Sequence, residues 1–204
     1  MKKLLVLTLA VVLTFGLAAT SEAVLLNVGD SGIATTGEAS PGDVLLDSII
    51  GGAWSTASGV TAGTYDAFVY ADSDMGDMIV IQYQVTVDSG NLGRVTFITF
   101  DGWTTWADSD GTGVDPDSMS RLTADSVGFT FEPSGGIGAG ETSSMMWVKT
   151  NATEYTEGWI NFINGGVDFQ PGFQPTVVPE PTSMLLFGTG LLGFVGRLRK
   201  RFNA

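Results

Sequence analysis

Along residues 79–87 the chain alternates without a break, with Ile79, Ile81, Tyr83, Val85 and Val87 on one side and Val80, Gln82, Gln84 and Thr86 on the other. A period of two with one wholly apolar side predicts a strand with that side buried. Asp88-Ser89-Gly90-Asn91 supplies turn chemistry, and residues 94–100 give a second strand, so the two predict a hairpin. Residues 65–70, 126–132, 143–149 and 158–163 are further strands, each bounded by Gly, Pro, Asp or Ser. No segment between Val24 and Pro175 carries a helical stripe. The stretch 29–63, rich in Gly, Ser, Thr and Ala, is harder to read, and an edge strand around 44–50 is its clearest feature. Short strands at this spacing predict an all-β body, a single β-sandwich of jelly-roll or Ig-like type rather than a barrel.

The two ends of the chain follow another pattern. Lys2 and Lys3 precede an apolar run over 4–19, and Ser21-Glu22-Ala23 places small residues where a signal peptidase needs them. Residues 1–23 are therefore expected to be a secretory signal helix, cleaved after Ala23. Neither a twin arginine nor a lipid-bearing cysteine is present, so export by the general pathway is expected. The body spans 24–169, roughly 150 residues and enough for one domain with a substantial core. Residues 170–178, with Pro171, Gly172 and Pro175 and no charge, predict a linker.

Residues 179–201 combine three parts in a fixed order. Pro179 and Pro181 fix their own φ and push Val178 and Glu180 out of the α region, so Glu180 is displayed on a short extended rod. The charge-free stretch 182–196 would form a helix of roughly 22 Å, a marginal membrane span that flanking residues can extend. Its apolar residues sit all round the helix, which favours lipid over a core face, although a buried helix is the competing reading. Arg197, Arg199, Lys200 and Arg201 form a basic stop that should stay cytoplasmic and leave the body on the far side. Gly188-Thr189-Gly190-Leu191-Leu192-Gly193 matches a dinucleotide fingerprint only by accident, since no acidic residue follows Glu180.

Val-Pro-Glu-Pro-Thr-Ser, the Gly/Leu/Phe stretch and Arg-Leu-Arg-Lys-Arg together resemble the PEP-CTERM sorting signal of Gram-negative bacteria. The resemblance implies that Pro179, Glu180 and Pro181 are recognised by an exosortase, a membrane-embedded cysteine transpeptidase-like enzyme. It implies that residues 184–196 are a transient inner-membrane anchor and residues 197–201 a retention signal. It also implies a host that makes exopolysaccharide. Gly140-Glu141-Thr142-Ser143 and the run 150–156 resemble, more loosely, a stretch that members of that family share upstream of the tail.

Composition narrows the chemistry. The chain has no Cys and no His, which removes disulfides, the commonest general base and the commonest transition-metal ligand. Of twenty-two acids only Glu22 and Glu180 lie outside the body, and of nine bases only Arg94, Arg121 and Lys149 lie inside it. So acidic a surface repels phosphate backbones and argues against nucleic acid. It suits solubility, calcium or an extracellular matrix.

Two constellations stand out. Asp108, Asp110, Asp115 and Asp117, interleaved with Gly111 and Gly113, have the oxygen density of a short calcium loop, but they also suit a solvated turn between strands. Trp103 and Trp106 flank acids on an expected loop and could stack on sugar rings if exposed. They, with Trp147 and Trp159, could equally serve the core. No nucleophile elbow, phosphate loop or His-based metal motif is present, and an abundance of acids guarantees some pair at glycosidase spacing by chance. The expectation is a non-enzymatic exported protein of the cell surface or extracellular matrix, with no cofactor unless calcium. Its expected partners are an exosortase-like enzyme, the inner membrane and exopolysaccharide. The alternative is a carbohydrate-binding module, calcium-assisted, centred on 103–117.

Overall fold

The computed structural model describes residues 23–57, 59–98, 100–132, 134–164 and 167–176. The expected signal helix apart from Ala23, the Pro-Glu-Pro motif, the membrane segment and the basic stop all lie outside the described residues. Within them the chain is all-β, with a single turn of 3₁₀ helix at Ser73–Met75. No helix among the described residues is long and apolar enough to cross a membrane.

Two six-stranded sheets hold most of the body. The first runs, in spatial order, β1 (Val24–Leu26), β8 (Thr105–Ser109), β12 (Met146–Thr150), β5 (Met78–Ser89), β4 (Ala62–Asp72) and β3 (Val44–Ser55). The second runs β14 (Val167–Thr176), β13 (Glu154–Ile163), β7 (Arg94–Ile98), β10 (Ser126–Thr130), β9 (Ser118–Thr123) and β2 (Asp30–Ile33). A two-stranded pair joins β6 (Asn91–Leu92) to β11 (Ile137–Gly138). Every strand pair within the sheets is antiparallel.

The alternation in β5 decides which faces meet. Ile79, Ile81, Tyr83, Val85 and Val87 are all buried and join one core with Val95 and Phe97 of β7, Val127 and Phe129 of β10, and Ile160 and Phe162 of β13. Rings from one sheet touch rings from the other: Tyr83 lies 4.5 Å from Phe97 between centroids, and Trp54 stacks on Phe162 at 4.6 Å. Such pairs add about 0.5–1.5 kcal/mol each beyond the area they bury. The Tyr83 phenol is held well above its usual pKa by burial, while its oxygen accepts the Phe173 N–H at 2.9 Å.

The hairpin expected of residues 79–100 does not form. β5 pairs with β4 and β12, whereas β7 pairs with β10 and β13 in the opposite sheet. Two strands with matching apolar sides can lie side by side or face to face, and alternation is the same in both cases. Here Gly90, at φ 78°, turns the chain toward β6, and Tyr83 meets Phe97 across the core instead of beside it.

The expected linker is also corrected. Residues 170–176 belong to β14, which pairs with β13 from Glu154↔Thr176 to Ile163↔Val167. Proline is tolerated there because an edge strand needs ladder hydrogen bonds on one side only. The Pro171 carbonyl accepts the Tyr65 hydroxyl at 2.8 Å, and Phe173 is buried in the core. The edge strand expected at 44–50 is present as β3 and extends to Ser55.

Residues 34–43 carry the chain from β2 of the second sheet to β3 at the far edge of the first, and they do so across the first sheet's outer face. Thr36 donates its N–H to the Asp108 carboxylate on β8 at 2.8 Å. Trp147 Nε1 on β12 donates to the Glu38 carbonyl at 2.9 Å. Gln82 Nε2 on β5 donates to Ser40 Oγ at 2.6 Å. Gly42 lies so close over Tyr70 of β4 that a Cβ there would meet its Cγ at 3.0 Å. The strap thus touches four neighbouring strands in turn.

Candidate functional site

The four aspartates of the expected calcium loop are not brought together. Asp108 is buried under the strap, where it accepts both the N–H and the hydroxyl of Thr36 and the N–H of Ser109. Asp110 accepts the N–H groups of Thr112 and Met145, at 3.1 and 2.9 Å, and the Thr112 hydroxyl. Asp115 accepts from Ser144 Oγ at 2.6 Å and Ser109 Oγ at 3.2 Å, and Asp117 holds the N–H and hydroxyl of Ser134. Among the described residues no group of three or more acids, His or Cys is placed to hold a metal. Asp108 instead holds the strap, Asp110 and Asp115 both hold residues 144–145, and Asp117 holds Ser134, roles that spacing along the chain does not reveal.

The tryptophans separate in the same way. Trp103 packs against the core and lines a small cavity beside β1, while its carbonyl accepts from Arg121 at 2.9 Å. Trp106 lies within β8, not on a loop, and lines a different cavity with Trp147 and Lys149. Lys149 Nζ sits 5.7 Å from the Trp106 ring centroid and 3.5 Å from the Asp72 carboxylate. Trp147 is fully buried beneath the strap. The pair expected to grip a sugar does not share a surface.

Trp159 behaves differently. It stands on β13 at 53% exposure, opposite Pro171 of β14 in register. With Glu157 and Phe173, which are paired across the same two strands, it lines a groove of about 580 Å³ that Asp47 and Ile49 of β3 also line. The Tyr155 hydroxyl reaches Asp47 at 3.4 Å. Burial, and then the neighbouring Asp47 charge, raise the Tyr155 pKa, so this phenol stays protonated near neutrality. The groove offers one indole face, an apolar floor and two carboxylates able to accept hydroxyl protons. Nothing along the sequence sets Trp159 apart from the other tryptophans; its outward place on a strand beside an edge does.

Arg121 is 4% exposed and has a structural role. Its guanidinium donates to the carbonyls of Leu26, Phe100, Trp103 and Ala124 at 2.9–3.2 Å, tying β1 of the first sheet to β9 of the second. Burial lowers its pKa, and Asp101 opposes that shift.

The body is thus an all-β domain with no metal-ligating cluster among the described residues, and the tail carries its clearest functional mark. Residues 177–200 match the PEP-CTERM protein-sorting motif. The match takes in Pro179, Glu180 and Pro181, the charge-free stretch and the basic residues Arg197, Arg199 and Lys200. The motif implies export and membrane-anchored sorting by an exosortase. Among curated proteins and among solved structures no significant match to the chain is found.

Proposed function

We propose that this is a non-enzymatic protein of the cell surface or extracellular matrix, sorted through its tail and associated with exopolysaccharide. The observation that carries the reading is the match over 177–200, where Pro179-Glu180-Pro181, an apolar stretch and a basic stop follow one another in the sequence. In this reading the apolar stretch holds the precursor transiently in the inner membrane, and the basic stop fixes its orientation. The exosortase-like enzyme then grips Glu180 between its two prolines, where little ordering is needed before recognition. The body delivered outside is read as a β-sandwich with jelly-roll-like connections, since successive strands often change sheet. It folds without disulfides, and its acidic surface keeps it soluble in a hydrated polymer.

Glu180→Ala should accumulate uncleaved protein in the membrane fraction of the host, read by fractionation and blotting. Release at the normal rate would overturn the sorting claim. The calcium-assisted carbohydrate module centred on 103–117 finds less support, because Asp108 is buried and Trp103 and Trp106 line separate cavities.

A further inference from the structure

We infer that the outer face of the second sheet is a binding face for a neutral polysaccharide chain, with Trp159 and Phe169 as its aromatic wall. This inference rests on the exopolysaccharide association proposed above and locates it.

The strand registers place five residues in one row across the sheet: Ser120 on β9, Gly128 on β10, Thr96 on β7, Asn161 on β13 and Phe169 on β14. Their neighbours along each strand, Phe97, Phe129, Ile160 and Phe162, point into the core, so this row points outward. At about 4.8 Å between strands, the row spans roughly 19 Å, the scale of an oligosaccharide stretch.

The floor of the row is polar and incompletely satisfied. Thr96 and Asn161 are 8% and 7% exposed, and neither Thr96 Oγ1 nor Asn161 Oδ1 has a hydrogen-bond partner. Arg94 lies over Gly128, where a Cβ would meet its Nε at 2.8 Å, and donates through Nη2 to Ser120 Oγ at 3.1 Å. Its Nε is buried and also lacks a partner. The other two cations of the body are committed elsewhere, Lys149 to Asp72 and Arg121 to carbonyls. An acceptor, a hydroxyl and a guanidinium N–H left open in one place cost stability and need a reason.

Vicinal sugar hydroxyls fit that need, since each can donate and accept in turn. Phe169 closes the row at 54% exposure, and Trp159 stands two residues from Asn161 on the same side of β13. Exposed rings of this kind change rotamer readily, so a sugar held between them can bring its hydroxyls over Thr96 and Asn161. Ring faces also match the apolar face of a pyranose. The row contains no carboxylate, while the chain as a whole carries a net charge of −13. That charge repels uronate-rich polymers and favours an uncharged partner.

The test is affinity electrophoresis of the full-length protein in detergent, through gels containing hydroxyethylcellulose, galactomannan, xyloglucan or polygalacturonate. Retardation is expected in at least one neutral polymer. Trp159→Ala should weaken it about tenfold, and Phe169→Ala by less. Thr96→Val should weaken it about fivefold while the melting temperature holds or rises, because an unpaired hydroxyl has been removed. Leu45→Ser, at an exposed position on the other sheet, should change nothing. The site is overturned if no neutral polymer retards the protein, if only polygalacturonate does, or if Trp159→Ala migrates like the parent. Tail processing is scored separately by blotting: normal processing without binding rejects this face alone, and binding without processing rejects the sorting claim alone.

Discussion

The outer faces of the two sheets have similar raw material and opposite fates. Each presents large rings and polar side chains between them: Trp147, Gln82 and Tyr70 on the first, Trp159, Asn161 and Phe169 on the second. On the first sheet residues 34–43 lie across the rings and supply partners for the polar atoms, so Trp147 and Asp108 are wholly buried. On the second, Trp159 and Phe169 remain more than half exposed and polar atoms beside them have no partner. One face has become a second layer of the interior and stabilises the fold. The other leaves Thr96 Oγ1 and Asn161 Oδ1 buried without a partner beneath its exposed rings, so its hydrogen-bonding capacity is unmet.

The sharpest way to break this contrast is to remove the ring under the strap. Trp147→Ala should cost about 3–5 kcal/mol, since it deletes a fully buried indole and leaves the Glu38 carbonyl without that donor. Residues 34–43 should then become a cleavage site in limited proteolysis. The matching change on the open face, Trp159→Ala, should stay within about 0.5 kcal/mol. Urea titrations of the two variants decide the matter, and equal losses would mean that the strap does not divide the faces energetically.

This division was only partly legible along the chain. Alternation identified β5 and the neighbouring strands of both sheets, because a period of two reflects a local choice of faces. It did not reveal that β5 and β7 lie in different sheets, since pairing and facing produce the same pattern. Pro171 and Pro175 made β14 read as a linker, although an edge strand lacks the second ladder that would exclude them. The strap was hidden because its contacts span tens of residues, as from Thr36 to Asp108, and its own composition is that of a loop. The Asp-rich loop misled for a related reason. Along the chain its carboxylates form a set, while in the fold they bond to Ser134, Ser144, Met145 and Thr36 from elsewhere in the chain. The tail, by contrast, is a linear signal and could be read as one.

A finer test compares one polar residue from each face. Gln82→Leu on the covered face removes the donor to Ser40 and should cost about 1 kcal/mol. Thr96→Val on the open face removes a hydroxyl that has no partner, so stability should hold or rise by up to about 1 kcal/mol. The signs should differ when both are measured by the same denaturation protocol. A loss for Thr96→Val as large as that for Gln82→Leu would mean that its hydroxyl is satisfied in solution by bound water.

The smallest effect concerns the far end of the strap. Asp43 accepts the hydroxyl and the N–H of Ser73, and these hydrogen bonds lower its pKa below the ordinary 3.8. A carboxyl whose folded pKa is depressed adds stability above its unfolded pKa and loses it as pH falls through the folded value. Asp43 is fully exposed, so solvent screens most of this and the contribution is slight. Ser73→Ala removes the larger of the two hydrogen bonds and should lower the melting temperature slightly at about pH 6. The gap between variant and parent should narrow as the pH is taken below 3.8 and Asp43 becomes protonated in both. A gap that stays constant across that range would show that Ser73 acts through its own packing, and that the strap is held from Thr36 to Gly42 without an electrostatic pin at its end.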